Sequence, residues 1–259
     1  MRIALGLEYD GSAFCGWQIQ PAGCSVQDAL ERAIEAIAAS PVSVTCAGRT
    51  DAGVHAAWQV VHFDAPVDRP ATAWVRGVNA HLPPTVSILW ARAVDDAFHS
   101  RFVAEARSYR YVLLPRSSRP GLEAGHVGWW HGDLDVDAMR QASVCLVGEH
   151  DFSAFRAAEC QARSPVRRIE HLEISARGDR LRIDVTANAF LHHMIRNIVG
   201  SLVYVGAGRH PPAWIETLLH ARDRRLAAPT FAPDGLYLTA VRYAPHWGLP
   251  APAVDADRP

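Results

Sequence analysis

Cys46-Ala47-Gly48-Arg49-Thr50-Asp51-Ala52-Gly53-Val54-His55 lies between two apolar runs, Val42 to Ala47 before it and Ala56 to Phe63 after it. Both runs read as strands, so the stretch is the turn that joins them. Gly48 and Gly53 open backbone conformations closed to other residues. Such a turn can hold the Asp51 carboxylate beside the Arg49 guanidinium, and a nearby arginine keeps an aspartate ionised when it leaves water. A plain hairpin turn with a surface ion pair would show the same spacing, so both readings stand at this point.

Upstream of the turn, Arg2 to Tyr9 alternates with Ile3, Leu5 and Leu7 on one face and reads as a strand. Asp10 to Gly23 is a loop. Ser25 is placed as the N-cap of a helix whose apolar positions are Val26, Leu30, Ile34 and Ile37, stopped by Pro41. Downstream, Pro70 suits the first position of a second helix reaching about Leu82, and Thr85 to Trp90 alternates as another strand. The order β-α-β-β-α-β is the split pattern of a ferredoxin-like half.

The same order recurs without any repeat of sequence. Ser108 to Leu114 is a strand, Asp135 caps a helix carrying Val136, Met139, Val144 and Leu146, and Val166 to Ser175 with Arg180 to Val185 forms a hairpin around Gly178-Asp179. A long helix is expected from Phe190 to Val205, a shorter one from Pro212 to Ala221, and a closing strand over Gly235 to Val241. The expected fold is α+β: two ferredoxin-like halves, 1–104 and 105–245, with sheets merged into one long, mainly antiparallel sheet. Residues 246–259, rich in Pro and Ala, are expected to be a disordered tail.

With 259 residues, nearly half of them hydrophobic, the chain can fill sizeable cores, and no apolar run approaches the roughly 20 residues that span a membrane. The N-terminus is charged too early for a secretory signal, so a cytoplasmic protein is expected. The five cysteines are odd in number and form no C-x-x-C pair, which points to free thiols and away from a cysteine-built zinc site. The formal net charge of −1 does not mark a nucleic-acid binder, although the chain has no lysine and every basic Lys/Arg position is arginine. RNA binding would require those arginines to segregate onto one face, where they offer forked phosphate contacts and stacking.

Three further stretches carry candidate chemistry. The loop Tyr9-Asp10-Gly11 to Gly16-Trp17-Gln18 could stack on bases, or could plug its own core through Phe14 and Trp17. Tyr109 and Tyr111 share one strand face, with Arg110 on the other, and fit either packing or base stacking. In Phe190-Leu191-His192-His193-Met194-Ile195-Arg196-Asn197, helical spacing would pair His192 with Arg196 and His193 with Asn197. Arg196 sits among apolar neighbours: it is either a surface arginine or a buried one that needs a carboxylate, for which Asp51 is the partner to name.

Together these segments resemble the TruA family of tRNA pseudouridine synthases. The likeness rests on Gly48-Arg49-Thr50-Asp51-Ala52-Gly53-Val54-His55 and on Tyr9-Asp10-Gly11, Gly16-Trp17-Gln18, Phe98-His99, Tyr109-Arg110-Tyr111, Asp151-Phe152-Ser153 and Cys160-Gln161. Ser164-Pro165-Val166-Arg167, the His193 to Gly200 segment and Pro233-Asp234-Gly235-Leu236 continue it in order, over roughly Ile3 to Tyr243. The resemblance implies the pseudouridine synthase fold and isomerisation of uridine to pseudouridine at positions 38, 39 and 40 of the tRNA anticodon stem-loop. It also implies a homodimer and no cofactor, and the absence of an H-x-x-x-H pair around the adjacent His192 and His193 points away from a metal site. It places Asp51 as the catalytic carboxylate, Tyr109 against the target base and Arg196 as the basic partner of the aspartate. Arg49, Thr50, His55, Tyr9, Asp10, Gln18, Tyr111 and Asn197 are expected to bind substrate. Ser100, where the family usually has alanine, and Ala56-Ala57-Trp58 depart from the pattern.

Two rival activities are defined by the same residues. A non-catalytic RNA-binding module would keep the aromatic and arginine face without needing Asp51. A metal-dependent hydrolase would draw on His55, His62, His192 and His193.

Overall fold

The computed structural model describes residues 1–252. The chain divides into two compact units, Met1–Arg107 together with the segment from Tyr237 onward, and Ser108–Leu236. The strands are mainly antiparallel and the fold class is α+β, as the sequence led us to expect.

The first unit contains β1 (Arg2–Tyr9), α1 (Val26–Ala38), β2 (Thr45–Cys46), β3 (His55–Asp64) and β4 (Val86–Val94). β1 lies between β4 and β3, antiparallel to both, and β2 pairs with β3, which is the ferredoxin-like strand order. Ser25 caps α1 in a reciprocal box with Asp28, and Val26, Leu30 and Ile34 of the helix are buried, as are Leu5, Leu7 and Val61 of the sheet. Helical turns after Pro70 include a π turn at Ala73–Gly77, which seats Trp74 edge-on to Phe63 at 5.3 Å.

β2 is shorter than the expected Val42 to Ala47 strand. The amide of Val44 donates to Glu31 Oε1 at 2.9 Å and its carbonyl accepts from Gln27 Nε2 at 3.3 Å, so side chains of α1 satisfy backbone groups that a longer strand would have paired.

The second unit takes in most of β5 (Ala104–Pro115), then β6 (Gly128–Trp130), α2 (Val136–Ser143), β7 (Gly148–Asp151), β8 (Val166–Arg177), β9 (Arg180–Ala187), α3 (Met194–Gly206) and α4 (Trp214–Ala221). Its strand order is β5-β9-β8-β7, with β6 parallel to β5. The β8–β9 hairpin turns at Gly178 as expected. The expected helix through Leu146 ends at Ser143 and tightens into a 3-10 turn over Val144–Leu146.

β10 (Leu236–Tyr243) runs parallel to β3, pairing Tyr237 with His55, and so groups from Tyr237 with the first unit where a second half running to residue 245 had been expected. Part of the expected tail is also folded: Pro245–Trp247 makes a 3-10 turn, and Trp247 meets Phe98 edge-on at 5.2 Å. Residues 253–259 lie outside the described residues. Two further expectations are corrected. Cys15 and Cys24 form a disulfide, with Cα atoms 5.6 Å apart, where free thiols had been expected; they lie nine positions apart in sequence, and the Cys15 N–H donates to the Cys24 carbonyl at 3.1 Å. α3 begins at Met194 and not at Phe190, because His193 takes a left-handed φ of 60° after a turn in which Met194 N–H donates to the Leu191 carbonyl. Among the described residues, no helix is long and apolar enough to cross a membrane.

Candidate active site

The backbone of the Asp51 turn is held at several positions along it. The side chain of Gln59, fully buried on β3, donates from Nε2 to the Gly48 carbonyl at 2.6 Å and accepts the Gly48 N–H at 3.4 Å. The buried guanidinium of Arg107 donates to the Ala47 carbonyl at 2.9 Å. Thr50 accepts the Trp17 N–H on its carbonyl at 2.9 Å, and its hydroxyl lies 2.7 Å from the Tyr9 hydroxyl. Val54 N–H closes the turn on the Asp51 carbonyl at 3.1 Å, with Gly53 at φ 78°. The result is a backbone clamped on both sides of a half-buried carboxylate, with the Arg49 side chain exposed beside it in sequence.

The loop from Asp10 lies directly on this turn. Gly11 approaches so closely that a Cβ there would sit 2.0 Å from the Val54 carbonyl oxygen. Gly16, at φ 101°, would place a Cβ 3.0 Å from the Thr50 oxygen and 3.2 Å from the Asp51 carbonyl carbon. Trp17 is buried under the loop, tilted against Tyr9 at 6.0 Å, which is the plugging arrangement that the sequence left open. His55 stacks on Tyr237 at 4.6 Å, with its Nδ1 3.1 Å from both the Gly11 N–H and Asp10 Oδ1.

These contacts sort the expected substrate-binding residues. Arg49 and Gln18 are exposed, and Asp10 and Asp51 are half-buried. Tyr9, Thr50 and His55 are at most 7 % exposed and have polar partners within the protein, through which they support the turn.

In the second unit, Tyr109 is buried on β5 and meets Phe190 edge-on at 5.2 Å. Tyr111 is fully buried, donates its hydroxyl to the Ala232 carbonyl at 2.8 Å and fills the space above Gly128, where a Cβ would meet it at 2.0 Å. Asn197, also fully buried, donates to the Phe155 carbonyl at 2.8 Å while its Oδ1 accepts from Thr230 at 2.7 Å and Arg224 at 3.0 Å. Both side chains are packed and hydrogen-bonded in the interior of the second unit. Arg196 is half-buried on the first turn of α3; its Nε donates to the Phe231 carbonyl at 2.8 Å, which fixes the plane of the guanidinium. His192 precedes α3, so it does not stand one helical turn before Arg196 within the helix, as had been expected.

Gln59 and Arg107 were not singled out from the sequence. Gln59 carried a signal: an uncharged polar side chain within the apolar strand His55–Asp64 has to find partners if buried. Ser100 is accounted for by its own contacts. Its hydroxyl donates to the Thr45 carbonyl at 2.7 Å, and its N–H donates to Nδ1 of His62 at 3.2 Å. That engagement takes one metal-binding nitrogen away from the hydrolase reading.

Comparison with known proteins follows the same residues. A family model described as tRNA pseudouridine synthase matches residues 7–103 and 142–244. Proteins named tRNA pseudouridine synthase A from Dechloromonas aromatica and Thiobacillus denitrificans are each 60 % identical, over 98 % and 96 % of this chain and 97 % and 96 % of their own lengths. The protein of that name from Chromobacterium violaceum is 60 % identical over 97 % of this chain and 96 % of its own. A solved Cbf5-Nop10-Gar1 complex aligns with a TM-score of 0.42 at 14 % identity, covering 91 % of this chain and 48 % of that one. Matched along both units and through the clamped Asp51 turn, the chain belongs to the tRNA pseudouridine synthase family.

Proposed function

We propose that this protein isomerises uridine to pseudouridine in tRNA, at positions 38, 39 and 40 of the anticodon stem-loop, with Asp51 as the catalytic carboxylate. The observation that carries the reading is the fixed backbone beneath a half-buried Asp51, in a chain related over nearly its whole length to tRNA pseudouridine synthases. The reaction breaks the N1–C1′ glycosidic bond, turns the uracil and forms a C5–C1′ bond, with no net redox change. A base must first leave the stack, and an ionised carboxylate then serves as nucleophile or base. Tyr109 takes the place of the tyrosine that packs on the target base, and Arg196 that of the basic residue that partners the aspartate. The protein works in the cytoplasm as a homodimer, without a cofactor.

The test uses tRNA transcripts carrying uridine at 38, 39 or 40, and transcripts with those uridines replaced. Pseudouridine should form at those positions alone. Tight binding without any isomerisation would favour the RNA-binding module instead, and activity unchanged by a strong chelator, with no metal in the purified protein, would dismiss the hydrolase.

A further inference from the structure

The turn between β4 and β5 presents an aromatic ring to solvent in a way the chemistry above does not use. Phe102 is 74 % exposed, and its ring stacks on His99 at 4.1 Å with the planes 23° apart. The guanidinium of the exposed Arg101 lies 5.7 Å from the Phe102 ring centre. A single exposed phenylalanine needs no explanation by itself. This one is held rigidly. The N–H groups of Phe102 and Val103 both donate to the His99 carbonyl at 3.1 Å, and the N–H of Arg101 donates to His99 Nδ1 at 3.2 Å. Burial, with Arg2 and Arg101 nearby, pulls His99 below the usual histidine range and so favours a neutral stacking ring.

The same turn is tied to the Asp51 turn. Arg107 donates to the carbonyl of Arg101 at 2.6 Å and to that of Ala47 at 2.9 Å, one residue before Gly48. Arg49 on the Asp51 turn and Arg101 on the turn tied to it are both exposed. Nearby Glu105 faces Arg242 at 3.6 Å, which offsets its charge. A pre-ordered aromatic ring flanked by arginines complements a base with its phosphate better than it complements an apolar protein surface.

We propose that the His99–Phe102 stack, with Arg101, is a platform for an unpaired nucleotide of the RNA other than the target uridine. The base stacks on Phe102 and Arg101 meets the flanking phosphate, while Arg107 keeps the platform in register with the Asp51 turn. The proposal rests on the tRNA reading above and adds a second point of attachment to it.

The test compares Phe102→Ala, Phe102→Leu, Phe102→Trp and Arg101→Gln in the full chain, using a tRNA transcript with uridine at position 39. Kd, the single-turnover rate at saturating RNA, and the oligomeric state without RNA are read for each. Phe102→Ala and Phe102→Leu should weaken binding by roughly 5- to 150-fold, the range for one base on an aromatic ring, with the saturated rate kept within about threefold. Phe102→Trp should restore binding, and Arg101→Gln should weaken it while lowering the salt dependence by about one phosphate contact. Binding by Phe102→Leu within twofold of the parent would overturn the platform, as would a change of oligomeric state in these variants, which would assign the ring to contact between copies. Either result would leave isomerisation by the parent protein, and so the proposed function, intact.

Discussion

A single methyl group added at Gly16 should slow the reaction without touching any side chain of the site. Gly16 sits at φ 101°, and a Cβ there would lie 3.0 Å from the Thr50 oxygen, 3.1 Å from the Ala52 nitrogen and 3.2 Å from the Asp51 carbonyl carbon. The unfavourable backbone angle costs about 1–3 kcal/mol. The contacts are too short to accept, so the loop or the Asp51 turn must yield by a few tenths of an ångström. Misplacement by about 1 Å costs on the order of 100-fold in rate, so a shift of this size is worth roughly 3- to 10-fold. Gly178 supplies the control: it also has positive φ, at 61°, but a Cβ there meets nothing within 4 Å. Gly178→Ala should lower stability by about 1–2 kcal/mol and leave the rate unchanged. The assay is single-turnover pseudouridine formation at saturating tRNA, with thermal unfolding followed in parallel. A Gly16→Ala protein that turns over as fast as Gly178→Ala would refute the claim that the loop sets the position of Asp51.

Tyr109→Leu should reduce the single-turnover rate at least 10-fold with a modest loss of stability, whereas Tyr111→Leu, which orphans the Ala232 carbonyl, should cost about 1–3 kcal/mol of stability and act on rate only through folding; the reverse pattern would exchange their roles. Arg196→Ala should slow turnover more than Arg168→Ala, an exposed arginine on β8, and equal effects in single-turnover assays would remove Arg196 from the reaction. Burial, reinforced by His99 and Arg2, depresses His62 to about 4 in the folded state. The unfolded chain therefore takes up that proton first, and stability should fall as pH drops from about 6.5 towards 4 and level off below it. Denaturant midpoints between pH 7.5 and 4 should show this slope in the parent and a flatter one in His62→Asn; identical slopes would mean that His62 does not titrate in that window.

Much of the scaffold was legible because it is written locally. Ser25 with the helical spacing of Val26, Leu30 and Ile34 places α1 to within a residue or two, and Gly178-Asp179 places the β8–β9 turn. What was missed depends on partners far away in sequence. Nothing near Val42 announces that Glu31 and Gln27 will take up the Val44 backbone, and no glycine or proline marks His193 as the left-handed residue that delays α3. At the site, residue type pointed to a turn but not to exposure. Tyr9, Thr50, His55, Tyr111 and Asn197 have the side chains of a binding site, yet each is buried and hydrogen-bonded within its own unit. The buried supports Gln59 and Arg107 act on backbone carbonyls, which no side-chain motif encodes.

The central claim is that Asp51 carries the reaction, and replacing one of its oxygens by an amide tests it most directly. Pseudouridine should be mapped in tRNA from cells that lack this protein and are supplied with either the parent chain or Asp51→Asn. The account predicts modification at 38, 39 and 40 restored by the parent and absent with Asp51→Asn, although the purified variant still binds tRNA. Restoration of those pseudouridines by Asp51→Asn would contradict it.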